Sequence, residues 1–204
     1  MAITIKQVLT MDIDKIQAQQ RIIELVRQTQ LGDQAAFASL YDEFANRIHA
    51  FIRIKVTGPE LAEDILQDVF LKVWKGCKSL DLTDLNFSAW IYKITANTIN
   101  DHYRKAYRQP QPVSIDEASQ IANDDDPALN THRGLEKVLV HDTVKLLPPN
   151  FREVIELRFF QDLSVADTAK ILGKESITIR VWQHRAMKQL EKLFKQTNRN
   201  ERTT

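Results

Sequence analysis

The chain of 204 residues has little of what punctuates a fold with many short strands, since it contains only five glycines and six prolines. Such folds need frequent turns, which glycine and proline supply. The residues that are common instead, among them Leu, Ile, Ala, Lys, Gln and Glu, favour helices. We therefore predict an all-α fold.

Cysteine is almost absent as well, because Cys77 is the only one. A single cysteine excludes an internal disulfide and a thiol-rich metal site, and it is typical of a reducing compartment. An inert side chain is the preferred interpretation of Cys77 over a reactive thiol. No apolar run approaches the roughly 20 residues of a membrane span, and no signal-peptide pattern opens the chain. The expectation is a cytoplasmic protein without membrane insertion.

Catalytic motifs are missing too. The five histidines follow no metal-ligand spacing, and the sequence has no glycine-rich phosphate loop, nucleophile elbow or paired catalytic carboxylates. Three consecutive aspartates at 124–126 are better explained as part of a solvated acidic linker than as a cation site. We expect no enzymatic activity, no metal and no cofactor.

Hydrophobic periodicity divides the chain into two small helical domains. In the first domain it predicts helices over Asp12–Leu31, around Phe37–Ile52, over Glu60–Lys75 and over Phe87–Arg108. Gly32 should end the first of these helices, and Asp33 should cap the second. Periodicity is lost over 109–134, where five acidic residues face one arginine, so we predict a flexible acidic linker. The predicted organisation is an N-terminal extension at 1–19, a domain at 20–108, the linker, a domain at 135–196 and a disordered tail at 197–204.

The second domain carries a helix-turn-helix pattern. Helices are predicted at 135–147, Asn150–Phe160, 164–172 and from Ser176, with Ser164 as a cap and Gly173 at the turn. From Lys174 onward eight Lys and Arg face three Glu, which suits phosphate binding. The alternative interpretation is a basic amphipathic helix that packs on a small helical bundle and does not bind DNA. Six residues are predicted to lie on the outer, DNA-facing side: Thr178, Arg180, Val181, His184, Arg185 and Lys188.

These motifs resemble the sigma-70 family of the extracytoplasmic-function (ECF) type, which has regions 2 and 4. The residues that resemble region 4 are Leu147-Pro148-Pro149, Leu157-Arg158, Leu163-Ser164, Leu172-Gly173 and Arg185-Ala186. Region 2 is resembled by Gly32-Asp33, Ala62-Glu63-Asp64, Gln67-Asp68-Val69-Phe70 and Ala89-Trp90-Ile91-Tyr92-Lys93-Ile94. Both patterns occur in the expected order, and together they cover most of the chain.

The resemblance implies a sigma factor, which binds core RNA polymerase and directs promoter recognition, strand opening and transcription initiation. The second domain would bind the −35 element and the β flap. The third helix would meet the β′ clamp helices through Asp64, Gln67, Asp68 and Phe70. The loop Leu80–Phe87 would help form a pocket for an extruded base, and an anti-sigma factor is an expected further partner. The fourth helix would contact the −10 element of promoter DNA through Tyr92, Lys93, Asn97, Arg104, Lys105 and Arg108.

Two other functions fit parts of the pattern. A helix-turn-helix transcriptional regulator would act on duplex DNA without being a polymerase subunit, and it should bind that DNA tightly alone. A pure protein-interaction module is the third reading, but the basic C-terminal segment and the polar face from Asn97 to Arg108 argue against it.

Overall fold

The structure, a computed structural model, describes the backbone of residues 5–108 and 143–200 and the side chains of 16–105 and 143–195. Within these ranges every regular element is a helix, which confirms the all-α prediction for the described part of the chain. In the first range the helices are α1 (Ile5–Gln30), α2 (Gln34–Lys55), α3 (Pro59–Cys77) and α4 (Phe87–Arg108). In the second they are α5 (Pro149–Ile155), a π-helical turn (Glu156–Phe160), α6 (Val165–Leu172) and α7 (Ser176–Asn200).

The chain divides into two compact units, Met1–Asp101 and His102–Thr204. The division falls inside α4, near its C-terminal end. The predicted linker at 109–134 and most of the predicted helix at 135–147 lie outside the described residues, although 143–145 are helical. The domain boundaries therefore remain predictions.

Several helix ends follow the local signals. α1 ends just before Gly32, and the Asp33 carboxylate accepts hydrogen bonds from the N–H groups of Ala35 and Ala36 at the start of α2. α4 has the predicted bounds. α3 is longer than predicted at both ends. It begins at Pro59, which suits the first helical position, where its missing N–H is harmless, and it ends at Cys77 instead of Lys75.

Two helix ends were predicted wrongly. α1 begins at Ile5 and passes through Asp12, the predicted cap. Extending an existing helix costs little, so a stretch without a clear apolar stripe can still be helical. The same reasoning explains why α7 extends to Asn200 instead of ending near 196.

The described helices of the first unit all contribute buried apolar side chains. Seven apolar residues of α2 repeat at helical spacing and are predicted to form one stripe. Leu40, Phe44, Ile48, Phe51 and Ile52 are buried, whereas Phe37 is half-buried and Tyr41 is 42% exposed. The ring of Phe44 packs edge-on against Phe87, with 5.2 Å between ring centroids. Buried side chains from the other helices include Val26, Ile65, Val69, Val73, Ile91 and Ile99.

The second unit has two smaller clusters, and both lie against α7. Val154 and Ala169 pack with Ile179 near the start of α7. Further along the helix, Ala186 and Leu190 pack with Val144, Leu147 and Ile155. The buried positions of α7 thus follow the predicted inner side.

The end of the predicted helix Asn150–Phe160 is a π-helical turn, not α-helix. The N–H of Gln161 donates to the carbonyl of Glu156, five residues earlier, at 3.0 Å. The Gln161 side-chain amide also donates to the buried Glu156 carboxylate at 3.0 Å. Hydrophobic periodicity does not distinguish the two helix types over a single turn, so a π-helical turn is not predictable here from sequence.

Candidate functional site

The exposed face of α3 carries the first group of predicted site residues. Asp64 and Gln67 are exposed and Asp68 is half-buried, so these polar groups share a face as predicted. Leu71, one helical turn beyond Gln67, is 56% exposed and adds an apolar group to this face, on the side where the sequence pattern places it. The face combines polar rim groups with an apolar contact, a composition suited to binding another protein.

Phe70 does not belong to this surface. Its side chain is only 5% exposed, and its ring packs against Tyr41 at 4.5 Å and Phe37 at 6.4 Å between centroids. The prediction that Phe70 contacts a partner is corrected here: it anchors α3 to α2 from the inner side.

The exposed face of α4 carries the second group. Lys93, Asn97 and Arg104 are exposed at helical spacing, with Lys105 beside them. Amide and cationic groups on one face of a helix suit base edges and phosphates. Arg108 lies in the last turn of α4, but its side chain is outside the described residues.

Tyr92 has a different position from the one predicted. It is fully buried, and its ring packs edge-on against Phe51 with 5.2 Å between centroids. A ring in the core is not available to stack on a base, so the predicted DNA contact of Tyr92 is corrected to a packing role. Trp90 is half-buried against Phe87, as the sequence suggested for a core residue.

α3 and α4 are held together at two places. Lys72 Nζ donates to the hydroxyl of Thr98 at 3.0 Å and lies 3.5 Å from Asp101 Oδ2. Near the end of α3, a Cβ on Gly76 would come within 2.8 Å of Trp90 Cζ2, so only glycine permits this approach. Neither contact was predicted, because both join residues that are far apart in the sequence.

The helix-turn-helix forms as the sequence predicts. The Ser164 hydroxyl oxygen accepts from the N–H of Asp167 at 3.0 Å, and its O–H donates to the Asp167 carboxylate at 2.7 Å. Gly173 ends α6 with a φ of +62°, a conformation that favours glycine. Thr168 is buried, and its hydroxyl donates to the Ser164 carbonyl at 2.9 Å.

The outer side of α7 is the third group. The five residues Arg180, Val181, His184, Arg185 and Lys188 are exposed, whereas Thr178 is half-buried. Ile177, which the prediction left out, is 60% exposed at the second position of the helix. This side therefore presents cationic and apolar groups together, which suits a major groove.

Arg158 holds α7 through a side-chain contact. Its Nε donates to the side-chain oxygen of Gln183 at 3.1 Å, and its Nη1 donates to the carbonyl of Leu163. One side chain thus links the π-helical turn, the loop before α6 and α7. The sequence singled out Arg158 only as part of a family motif, without a role.

Buried ionisable groups give no sign of reactivity. Burial raises the pKa of the Cys77 thiol to about 11, so the thiol stays protonated near neutral pH, as expected for an inert side chain. Desolvation lowers the pKa of Arg152, whose guanidinium donates to the carbonyls of Lys145 at 2.6 Å and Leu147 at 3.2 Å. Among the described residues, no group of three or more His, Cys, Asp and Glu side chains is arranged to hold a metal ion. None of the helices in the described ranges is long and apolar enough to cross a membrane.

Comparison with known proteins gives independent information. Residues 40–109 match the family model for sigma-70 region 2, and residues 137–190 match that for sigma-70 region 4. The ECF RNA polymerase sigma factor BldN of Streptomyces coelicolor is 29% identical over 174 residues, which cover 85% of this chain and 66% of BldN. This chain thus spans about two thirds of the length of BldN.

RNA polymerase sigma factor SigZ of Bacillus subtilis is 30% identical over 137 residues, which cover 66% of this chain and 73% of SigZ. Among solved structures, the sigma factor RpoE in complex with the anti-sigma factor NepR from Bartonella quintana has the same fold. Its TM-score is 0.59 at 24% identity, with 78% of this chain and 96% of that chain covered. The matches to both regions, together with these relatives, identify the chain as a member of the sigma-70 family of the extracytoplasmic-function type.

Proposed function

We propose that this sigma factor divides its work among three surfaces: α3 for core RNA polymerase, α4 for the −10 element and α7 for the −35 element. The observation that carries this assignment is the pair of polar faces on adjacent helices of the first unit. A helix-turn-helix alone serves any DNA-binding regulator, whereas the additional faces on α3 and α4 suit a polymerase subunit. The family match favours the same function over an independent regulator.

The α3 face would meet the β′ clamp helices of polymerase. Asp64, Gln67 and Asp68 supply carboxylate and amide groups, and Leu71 supplies an apolar contact at their edge. Phe70 packs in the core beneath this face, and we do not propose that it contacts polymerase. The β flap would bind the second unit.

The α4 face would meet the −10 element during strand opening. Lys93, Asn97, Arg104 and Lys105 offer donors to base edges and phosphates, and Arg108 follows them on the helix. The loop between α3 and α4 would receive an extruded base, whose unstacking costs a few kcal/mol that contacts must recover. Lys72 and Gly76 keep the polymerase-facing and DNA-facing helices in fixed register.

The α7 face would read the −35 element in the major groove. Thr178 and Arg180 lie in its first turns, where recognition helices contact base edges. Arg185 and Lys188 lie further along and suit phosphate contacts. Val181 and His184 complete the proposed surface.

Three further parts of the proposal follow from sigma factor function. The chain itself performs no covalent chemistry, because nucleotide addition belongs to the polymerase. It works in the cytoplasm, where polymerase and promoter DNA are found. An anti-sigma factor is the proposed regulator, and the RpoE–NepR complex provides a precedent in a protein of the same fold.

Run-off transcription with core polymerase from the native host tests the function. Core enzyme plus this chain should produce transcripts with one start site per recognised promoter, and neither component alone should do so. Absence of any product across a pool of host promoters would contradict the proposal. In a gel shift with duplex promoter DNA, the chain alone should bind weakly, since tight binding without polymerase is the behaviour of an independent regulator.

Substitutions on α3 test the proposed polymerase surface. Asp64→Ala, and Gln67→Ala together with Asp68→Ala, should weaken co-purification with core polymerase. Asp42→Ala is a matched control, because Asp42 is an exposed carboxylate on α2. Equal co-purification of all these variants would remove the proposed role from this face.

A further inference from the structure

Two glutamines of α1 hold the loop that joins α3 to α4. The Gln30 side-chain amide donates to the carbonyl oxygens of Cys77 at 2.9 Å and Leu80 at 2.7 Å. The Gln19 side-chain amide donates to the carbonyl oxygen of Leu85 at 2.5 Å. Both ends of the loop, residues 78–86, are therefore attached to one helix.

The spacing of the two glutamines explains how one helix reaches both ends. They are eleven residues apart, close to three helical turns, so they lie on the same face about 16 Å from each other. Val26, which is fully buried, lies on this face between them. The packing that buries this side of α1 thus also aims both amides at the loop.

The acceptors are backbone carbonyls at the two ends of the loop. Cys77 is the last residue of α3, and its carbonyl also accepts from the N–H of Leu80 at 3.2 Å, which closes a turn. Gln30 adds a side-chain donor at this turn, and Gln19 supplies one at the far end of the loop. These contacts fix backbone atoms, so they restrict the path of the loop whatever its side chains are.

The tip of the loop has polar groups in a defined arrangement. The Asp81 carboxylate accepts from the N–H of Thr83 at 2.9 Å, which closes a turn. Asp84 has a φ of +51°, a strained conformation for a residue other than glycine. Asn86 accepts from the N–H of Ala89 at 3.0 Å and so caps α4. The side chains of Asp81, Thr83, Asp84 and Asn86 are all exposed.

We propose that α1 is a brace for this loop, with Gln19 and Gln30 as positioning residues that hold it in the shape that receives the extruded −10 base. The inference rests on the proposed function of the loop. It gives a role to a helix that precedes residue 40, where the match to region 2 begins. A pre-shaped loop loses less conformational freedom when the base binds, so the brace raises discrimination between −10 sequences.

The first measurement follows the loop itself. Gln19→Met and Gln30→Met keep the side-chain length but remove the donor, and Gln20→Met is the matched control at an exposed position of α1. In the full-length chain, trypsin cleavage after the exposed Lys78, followed by mass spectrometry, should be about two- to tenfold faster in each variant, the range expected for losing a hydrogen bond. The Gln20→Met chain should be cleaved at the wild-type rate. Circular dichroism checks that all chains fold.

The second measurement follows function. Holoenzyme binds single-stranded oligonucleotides that carry either the −10 sequence mapped by run-off transcription or the same sequence with one base replaced. The affinity ratio should fall about two- to tenfold in each glutamine variant, while affinity for core polymerase stays at the wild-type value. Gln30→Lys restores a donor for the carbonyls and should recover both the cleavage rate and the ratio.

The outcomes distinguish the role of α1 as a brace from the proposed function of the loop. An unchanged rate of cleavage after Lys78 overturns the brace. Faster cleavage with an unchanged affinity ratio also overturns it, and the double variant Asp81→Ala with Thr83→Ala then shows why. If that variant lowers the ratio, the loop reads the −10 element without needing the brace. If it leaves the ratio unchanged, the proposed function of the loop fails as well.

Discussion

The two units of this sigma factor present their binding residues in different ways. One set of proposed contact residues lies on two helices, α3 and α4, which pack on a core with several aromatic pairs; most of α4 belongs to the first unit, and Arg104, Lys105 and Arg108 follow the end of that unit at Asp101. The other set lies on a single helix of the second unit, α7, that packs against two small clusters. The first surface therefore depends on how two helices are placed relative to each other, whereas the second depends on how one helix is seated. The contacts that matter most should differ accordingly.

Core truncation should have the largest effect and should stay within one unit. Ile48→Ala and Ile179→Ala each remove a fully buried side chain, one from each unit, at an expected cost of about 2–5 kcal/mol of unfolding free energy. Scanning calorimetry should find a lower Tm only for the unit that carries the substitution. Ile177→Ala is the control, because its exposed side chain should change stability by no more than about 0.5 kcal/mol. A shift of both transitions by one substitution would contradict the independence of the two units.

Crowding at the α3–α4 contact should have the next largest effect. Gly76→Ala places a methyl group against the Trp90 ring, and overpacking of this kind costs about 1–3 kcal/mol. Trp90→Phe in the same chain should recover part of that loss, because the smaller ring leaves room. Denaturant unfolding measures both chains, with Lys75→Ala, at the exposed neighbouring position, as the control. A Gly76→Ala chain as stable as the wild type would mean that α3 and α4 are free to separate.

Loss of the Arg158 contact with α7 should affect only the second surface. Arg158→Met removes the donors to Gln183 and Leu163, and the expected cost is about 1–2 kcal/mol, or roughly tenfold in holoenzyme affinity for −35 duplex DNA. Affinity for −10 single strands should not change. Lys192→Met removes an exposed charge further along α7 and serves as the control. Equal losses of −35 affinity in these two variants would indicate that net charge, and not the position of α7, determines binding.

The last effect is absent near neutral pH and concerns the buried thiol of the first unit. Burial raises the pKa of Cys77 from its ordinary 9.0 to about 11, so the folded chain holds this proton more tightly than the unfolded chain does. The resulting stability is present below pH 9 and is lost as the pH rises from 9 to 11. Denaturant unfolding across this range should give a shallower decline for Cys77→Ala than for the wild type. Parallel declines would argue against a buried, protonated thiol.

The sequence predicted local features well. Apolar spacing located α2 and α4, and short capping signals located Asp33, Ser164 and Gly173, because such signals depend on neighbours within one or two turns. The exposed residues of α7 were also predicted, since its buried side forms a narrow stripe of Ile179, Ala186 and Leu190. The family resemblance is confirmed by the matches to both regions.

The wrong assignments arose where a helix is buried over a wide arc. Tyr92 lies between the buried Ile91 and the exposed Lys93, at the boundary between the buried and exposed faces of α4. Only the tertiary structure decides to which face it belongs. Phe70 lies at the same kind of boundary on α3, between the buried Val69 and the exposed Leu71. The contacts of Gln19 and Gln30 are beyond sequence patterns for another reason, because a side-chain amide leaves no sign of a backbone partner about 50 to 66 positions away. The residues that orient the binding surfaces are therefore harder to predict than those that form them.

The division of α7 into a buried side and an exposed side has a consequence for how such proteins diversify. The residues that hold the helix in place and those that face outward are different residues of one 25-residue helix. Substitution at Ile177, Val181, His184 or Lys188 alters the outward chemistry without removing a core contact, so stability places little restraint on these residues. On the proposed −35 role of α7, a duplicated copy of this gene can acquire a new set of target promoters through a few surface changes while its fold stays intact.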